Sequence, residues 1–235
     1  MVFSKINLIW FWEKNKLKIL GLSFGFHDSA ACIIKNGEIL IAEQEDRFTR
    51  IKHDSSFPIN SINYCLEENN IKIKDIDNIV YYEQDIIKFN RIFNTNLLNF
   101  KHLLDITHNW LSRDKFLMKQ YIAKKLKYPN HKIFSIKHHK SHASSAFYCS
   151  PFTKATVITL DAVGEFETSS IKFGELNKLT DINSVNFPNS IGLLYSAFTS
   201  FLGFKVNDGE YKMMGMAGYG KPKYYELIKK FIKIN

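Results

Sequence analysis

The sequence predicts an α/β fold. Three observations predict it. Short apolar segments with β character recur along the chain, Asn36-Gly37 marks an early hairpin, and helical patterns are interleaved with the strands. In order, KILGLS at 18–23 reads as a buried strand, and Gly25 marks a tight turn after it. Residues 29–35 and 38–43 flank the Asn-Gly pair and read as the arms of the hairpin. Pro58 opens a helix carrying Ile59, Ile62 and Leu66, and 76–82 is the next strand. Residues 86–130 read as mostly helical, with Leu117, Tyr121 and Ile122 on the apolar side of 115–128. A short strand at 132–136 leads into a histidine-rich helix at about 139–148. The strand ATVITLD follows at 155–161 and ends in Asp161, and the sheet continues at 167–174 and 178–185. Asn189 or Ser190 caps a helix whose residues Ile191, Leu193, Leu194, Phe198, Phe201 and Leu202 surround it with apolar side chains, which predicts deep burial. A glycine-rich loop at 203–220 and a final helix at about 222–233 complete the reading, and no internal repeat is visible.

The 235 residues are ample for a core, and 45% hydrophobic with 14% aromatic content excludes disorder and fibrous repeats. Cys32, Cys65 and Cys149 form no CxxC pair, so neither a disulfide framework nor a cysteine zinc site is expected, and a reduced cytoplasmic setting fits. The net charge of +9 is unevenly placed. Residues 86–145 hold twelve basic and two acidic side chains, and 219–235 are also basic, whereas 19–85 and 146–218 are net acidic. Such a block is more often a solvated face than a nucleic-acid surface. The apolar run from Ile6 to Trp12 is far shorter than the roughly 20 residues of a membrane span. It reads as a short extension, with peripheral membrane contact through Trp10 and Trp12 as the alternative.

Five stretches could carry chemistry. In His138-His139-Lys140-Ser141-His142, positions 138 and 142 share one face of a helix and could share one ion, and His139 with His142 is the alternative pair. Two solvent-facing histidines are the ordinary explanation, but a position just after a strand is where α/β proteins place ligands. Asp161 closes an apolar strand, a costly place for a charge unless it caps a turn or binds an ion, and Gly164 behind it allows a tight turn. The loop Gly25-Phe26-His27-Asp28-Ser29 offers acid–base or anion-binding groups. In 44–53, Arg47, Arg50, Lys52 and His53 can donate to an anion. In 207–217, Gly209 and Gly215 let backbone approach a ligand, with Glu210 and Lys212 as contacts. For the last two stretches a charged loop and a plain connection are the bland readings.

Taken together, ILGLSFGFHDSAACIIKNGEILIAEQEDRFTRIKHDSSFP, HHKSHASSAFYCSPF, ITLDAVGE and FPNSIGLLYSAFTSFLGFKVNDGEYKMMGMAGYG resemble, in the same order, the carbamoyltransferases of nodulation and antibiotic biosynthesis (NodU/CmcH type). The resemblance runs from about residue 18 to 222. The tRNA threonylcarbamoyl-transfer proteins share the HxxxH motif but lack the HDSAA and QEDRFTR stretches. The resemblance implies an actin-like, hexokinase-like ATPase core (ribonuclease-H-like) of two lobes, followed by a YrdC-like domain that makes carbamoyladenylate from carbamoyl phosphate and ATP. It implies His138, His142 and Asp161 as ligands of a divalent metal, iron first, with zinc or manganese as alternatives. It implies His27 as the base for a hydroxyl-bearing acceptor. Asp28, Ser29, Arg47, Arg50, Lys52, Gly209, Glu210, Lys212 and Gly215 fall in segments implied to line the substrate and nucleotide cleft.

Set beside that family, residues 1–17 are an N-terminal extension, and 18–235 correspond to the first lobe and the start of the second, with no YrdC-like domain. The expectation is therefore an N-terminal catalytic portion that works with a downstream polypeptide. The alternative is an inactive fragment or a basic binding module. Nucleic acid is not an expected partner, and no transmembrane segment is expected.

Overall fold

The computed structural model describes residues 17–96, 104–105, 108, 110, 117–230 and 232. The N-terminal extension and most of the basic stretch between 97 and 116 lie outside the described residues. The α/β expectation holds, in two sheets. The first has the order β3-β2-β1-β4-β5, built from β1 (Lys18–Ser23), β2 (Ala30–Lys35), β3 (Glu38–Gln44), β4 (Asn78–Tyr81) and β5 (Ile133–Ser135). β1, β2 and β3 run antiparallel to their neighbours, and β4 and β5 are added in parallel. At the hairpin, Asn36 and Gly37 take φ of 54° and 87°, the left-handed pair that a two-residue turn with matching strand twist requires.

Register explains the core. Ile33, Leu20, Ile79 and Ile133 are cross-strand partners in one row over β2, β1, β4 and β5, and all are fully buried. Each contributes about 1.5–3 kcal/mol by leaving water. The row is covered by Ile62 and Cys65 of α2 (Ile59–Glu68) and by Met118 and Ile122 of α4 (Met118–Leu126). Leu117, expected on the apolar face of α4, is its exposed N-terminal flank instead, because the helix begins one residue later. α1 (Asp46–Thr49) precedes α2, and α3 (Asp85–Thr95) lies between α2 and α4 in the chain.

α2 starts at Pro58 without a side-chain cap of its own. Buried Glu45, at the end of β3, does that work. Its carboxylate accepts from the Asn60 and Ser61 amides at 3.1 and 2.8 Å, from the Asn60 side chain at 2.7 Å and from Ser61 Oγ at 2.7 Å. The otherwise unmatched donors of a helix start are thus satisfied from another strand.

The second sheet is a meander, β6 (Lys154–Gly164), β7 (Glu167–Glu175) and β8 (Lys178–Asn186). α5 (His138–Tyr148) lies on one face, with Ala143 and Phe147 against Val157. A Cβ on Gly174 would sit 2.6 Å from the Phe147 ring, so the glycine makes room for it. Under the same helix, buried Lys172 donates to Asp181 at 2.6 Å. Strand alternation puts Ile158 and Leu160 on the opposite face, where they are exposed, as is Ile171, the partner of Ile158.

Four expectations are corrected here. β6 does not end at Asp161 but continues to Gly164, with its pairing to β7 interrupted between Leu160 and Gly164. The apolar helix α6 (Ile191–Phe201), capped by Ser190 Oγ accepting from the Leu193 amide, is not deeply buried. Thr199 is its one buried residue, and Ile191 and Phe201 are exposed, because among the described residues β6 and α7 cover little of its circumference. The glycine-rich loop contains a helix, α7 (Glu210–Ala217), whose first residue accepts from the Asn207 amide at 2.9 Å and from Ser196 Oγ at 3.2 Å. The final helix, α8, spans only Tyr225–Lys229. Among the described residues no helix is long and apolar enough to cross a membrane.

Candidate functional site

β1, β4 and β5 are parallel, so the residues that follow them gather at one end of the first sheet. His27 and Asp28 follow β1, Glu83 follows β4, and His138 follows β5 as the first residue of α5. The carboxyl ends of parallel strands are where open sheets hold ligands.

The helical spacing of His138 and His142 brings their Nε2 atoms within 2.9 Å of each other. From β6, where the ladder lapses, Asp161 Oδ2 comes within 2.8 Å of His138 Nε2 and 3.6 Å of His142 Nε2. All three potential ligand atoms lie within 4.8 Å. Donors sharing one cation at bonds of about 2.1 Å sit about 3.0–3.4 Å apart, so this triangle fits one face of a coordination sphere. Two imidazoles and one carboxylate form a donor set that could hold one divalent cation, iron, zinc or manganese. Burial raises the Asp161 carboxyl, but the hydrogen bonds from His138 and His142 outweigh it and hold it well below the usual carboxylate range. His142 is half exposed, which leaves the triangle open to solvent.

A tight two-residue turn follows Gly164, as expected, but its left-handed residue is Glu165, and the glycine itself also makes room for packing. A Cβ there would stand 2.3 Å from the His138 ring. The imidazole therefore lies against bare backbone of β6. Glu165, at φ 57°, turns back beneath it. Its Oε1 accepts from the Gln84 amide at 2.6 Å and from the His138 amide at 3.3 Å, and its carbonyl accepts from Arg91 Nε. One acid thus joins the loop after β4 to the start of α5. Glu83, also buried, is held by Lys88 Nζ at 2.8 and 3.0 Å. Its neighbour Asp85 is pushed up to about 7, by burial first and the Glu83 charge second.

His139 is excluded as a ligand. It is buried, and its Nε2 contacts the Glu167 carbonyl at 2.9 Å, so that nitrogen carries the proton. Nδ1 then accepts from Thr159 Oγ1 at 2.6 Å, and Thr159 in turn accepts from Ser170 Oγ at 2.7 Å. Burial lowers its pKa, in keeping with a neutral core histidine.

A second cluster joins three of the predicted loops. Asp28 Oδ2 is 2.8 Å from His27 Nδ1, and Asp28 Oδ1 is 3.0 Å from His53 Nδ1. His53 Nε2 reaches Asp208 Oδ1 at 3.1 Å, and Lys52 Nζ donates to the same oxygen at 2.6 Å. Asp28 and His53 hold left-handed backbone, at φ 48° and 57°, which Asp and His adopt more readily than most residues. Asp28 and then Asp208 raise the His53 pKa, while Lys52 and then His53 hold Asp208 down at about 2. For Asp28, burial raises the carboxyl, but hydrogen bonds from His53 and His27 outweigh it and lower the pKa.

The other expected contacts divide. Ser29 is fully buried, and its Oγ has no partner among the described residues. Arg47 points to solvent beside Glu43, at 3.4 Å, and Arg50 ends α1 in left-handed backbone. Gly209 makes room for Phe204 and the Lys205 carbonyl, Glu210 is engaged in starting α7, Lys212 lies over the Tyr211 ring, and Gly215 faces open space. Glu83 lies in none of the five stretches. The signal that could have found it is the one applied to Asp161, an acid placed directly after an apolar strand.

Comparison with known proteins gives a consistent result. The family described as Carbamoyltransferase N-terminus matches residues 18–234. An uncharacterized protein of Synechocystis, sll1178, is 47% identical over 221 residues, 89% of this chain and 36% of that protein. The nodulation protein NolNO of Sinorhizobium fredii is 32% identical over 213 residues, 86% of this chain and 30% of that protein. The chain thus spans about a third of the length of these relatives. Among solved structures, component A of the (R)-2-hydroxyglutaryl-CoA dehydratase of Acidaminococcus fermentans overlaps 88% of this chain and 70% of that one, at 16% identity and a TM-score of 0.42. That overlap is too loose to argue from.

Proposed function

This chain belongs to the carbamoyltransferase N-terminus family, and from that premise we propose that it is the N-terminal catalytic portion of an O-carbamoyltransferase. In this reading it moves a carbamoyl group from carbamoyladenylate, made from carbamoyl phosphate and ATP, to a hydroxyl of a sugar or secondary-metabolite acceptor. The observation that carries it is the convergence of His138, His142 and Asp161 at the carboxyl end of the parallel strands. These three side chains would hold a divalent cation, iron in preference to zinc or manganese. Such a cation supplies Lewis-acid polarisation of a carbamoyl or phosphoryl oxygen.

The remaining work falls to the protein. A hydroxyl is a weak nucleophile, and a positioned imidazole can take its proton. His27 is suited to this. Its Nδ1–H donates to Asp28 Oδ2 at 2.8 Å, which leaves Nε2 as the basic nitrogen, and the side chain is 47% exposed. Asp28 is itself fixed from behind by His53. Lys52 stands beside this pair as a cation for an anionic substrate, although Asp208 already engages it.

The test is metal content. The wild-type chain, purified under anaerobic conditions with iron supplied, is expected to retain a near-stoichiometric divalent ion by elemental analysis. Replacing His138→Ala together with His142→Ala is expected to remove it. An unchanged metal content in the double variant would overturn the reading.

A further inference from the structure

We propose that Glu83 is a positioning residue for His138, accepting a hydrogen bond from the Nδ1–H of that imidazole so that Nε2 is presented to the cation. This deepens the metal reading above and rests on it. A histidine that binds a metal through Nε2 carries its proton on Nδ1, and that N–H needs an acceptor when it is buried. His138 Nδ1 is buried and, among the described residues, has no hydrogen-bond partner. Its nearest carboxylate oxygen is Glu83 Oε2, at 3.8 Å. Closing that gap to a hydrogen bond takes a movement of about 0.7 Å.

Among the described residues nothing else around the ring suits the role. Glu165 Oε1 is engaged by the Gln84 and His138 amides. Tyr82 meets the ring at a centroid distance of 5.4 Å, and Gly164 closes the side toward β6. Glu83 is well placed to hold still. Its carboxylate is 6% exposed, Lys88 grips both oxygens, and the adjoining Gln84 amide is tied to Glu165. An orphaned donor site on a ligand, facing a buried carboxylate that is itself braced, is the arrangement by which a neighbouring acid fixes the tautomer and angle of a metal-binding histidine.

The experiment titrates the whole chain with Zn²⁺ alone, against a chromophoric competitor, for the wild type, Glu83→Gln, and Asp161→Asn as a ligand control. Circular dichroism is the check that each variant is folded. Glu83→Gln is expected to lose 10- to 100-fold in Zn²⁺ affinity, and Asp161→Asn is expected to lose more. Nitrogen-15 spectra of the Zn²⁺-loaded wild type are expected to show the His138 Nδ1–H as a protected, slowly exchanging proton. That measurement also decides the matter if Glu83→Gln fails to fold. An affinity for Glu83→Gln within twofold of wild type, or a His138 Nδ1 without a protected proton, would overturn the role of Glu83 and leave the metal site standing. Failure of the wild type to take up Zn²⁺ would overturn both.

Discussion

β1-β2-β3 and β6-β7-β8 are both three-stranded antiparallel meanders in simple chain order, yet their surroundings differ sharply. In the first, parallel β4 and β5 extend the sheet, and the row Ile33, Leu20, Ile79 and Ile133 disappears beneath α2 and α4. In the second, α5 covers one face, while Ile158, Leu160 and Ile171 on the other remain in contact with water. The difference separates stability from chemistry. The first sheet anchors the described chain, and α5 spans the two by offering His138 and His142 toward Asp161 on β6 while packing Phe147 onto β7.

The largest test of this contrast is a pair of truncations. Leu20→Ala is expected to cost about 2–5 kcal/mol in denaturant unfolding, and Leu160→Ala less than about 0.5 kcal/mol. Equal costs would break the comparison, because they would mean that the far face of the second sheet is covered. Next, Gly174→Ala forces a methyl into the Phe147 ring and is expected to cost about 1–3 kcal/mol, with α5 the first element to loosen in hydrogen exchange. No loss there would show that α5 is not seated on β7. A smaller effect is expected at Lys172, which buries an amine to meet a mostly exposed carboxylate. Lys172→Met keeps the packing and removes the desolvated charge, so stability is expected to be unchanged or higher by about 1 kcal/mol. A marked loss would make the ion pair, not the helix, the clamp on this sheet.

The smallest effect concerns the latch of His53 between Asp28 and Asp208, which ties a loop of the first sheet to the start of α7. The His53 pKa is raised on folding, so its contribution is complete below the ordinary histidine pKa of about 6.5 and is lost as pH rises through the folded value. Asp208 is held at about 2, so its share is present above the ordinary aspartate pKa and fades only as pH falls toward about 2. The melting temperature of the wild type minus that of His53→Gln is therefore expected to be greatest near pH 5 and to shrink above pH 7. A difference that is flat across this range would show that the latch does not link the two regions.

Much of this was legible in the sequence where the cause is local. Asn36-Gly37 announces its hairpin, Asn189-Ser190 a cap that Ser190 supplies, and the four-residue spacing its paired imidazoles. What escaped has partners far along the chain. Glu45 reads as one acid in a charged stretch, but its four donors come from residues 60 and 61. Glu83 acquires meaning only when β4 and β5 lie side by side and bring it against His138. The apolar circumference of α6 was read correctly, but periodicity shows which side chains are apolar and cannot show whether anything covers them.

The interruption of the β6–β7 ladder between Leu160 and Gly164 has a consequence for motion. Asp161 occupies a stretch released from inter-strand pairing, where the Ala162 amide donates to Asp161 Oδ1 and Ser190 Oγ holds the Asp161 and Ala162 carbonyls in place of the ladder. Occupation of the triangle would cross-link this unladdered segment to the first turn of α5. The site would then report its own filling, as slowed deuterium uptake at 161–163 beside little change in the already rigid row through Leu20.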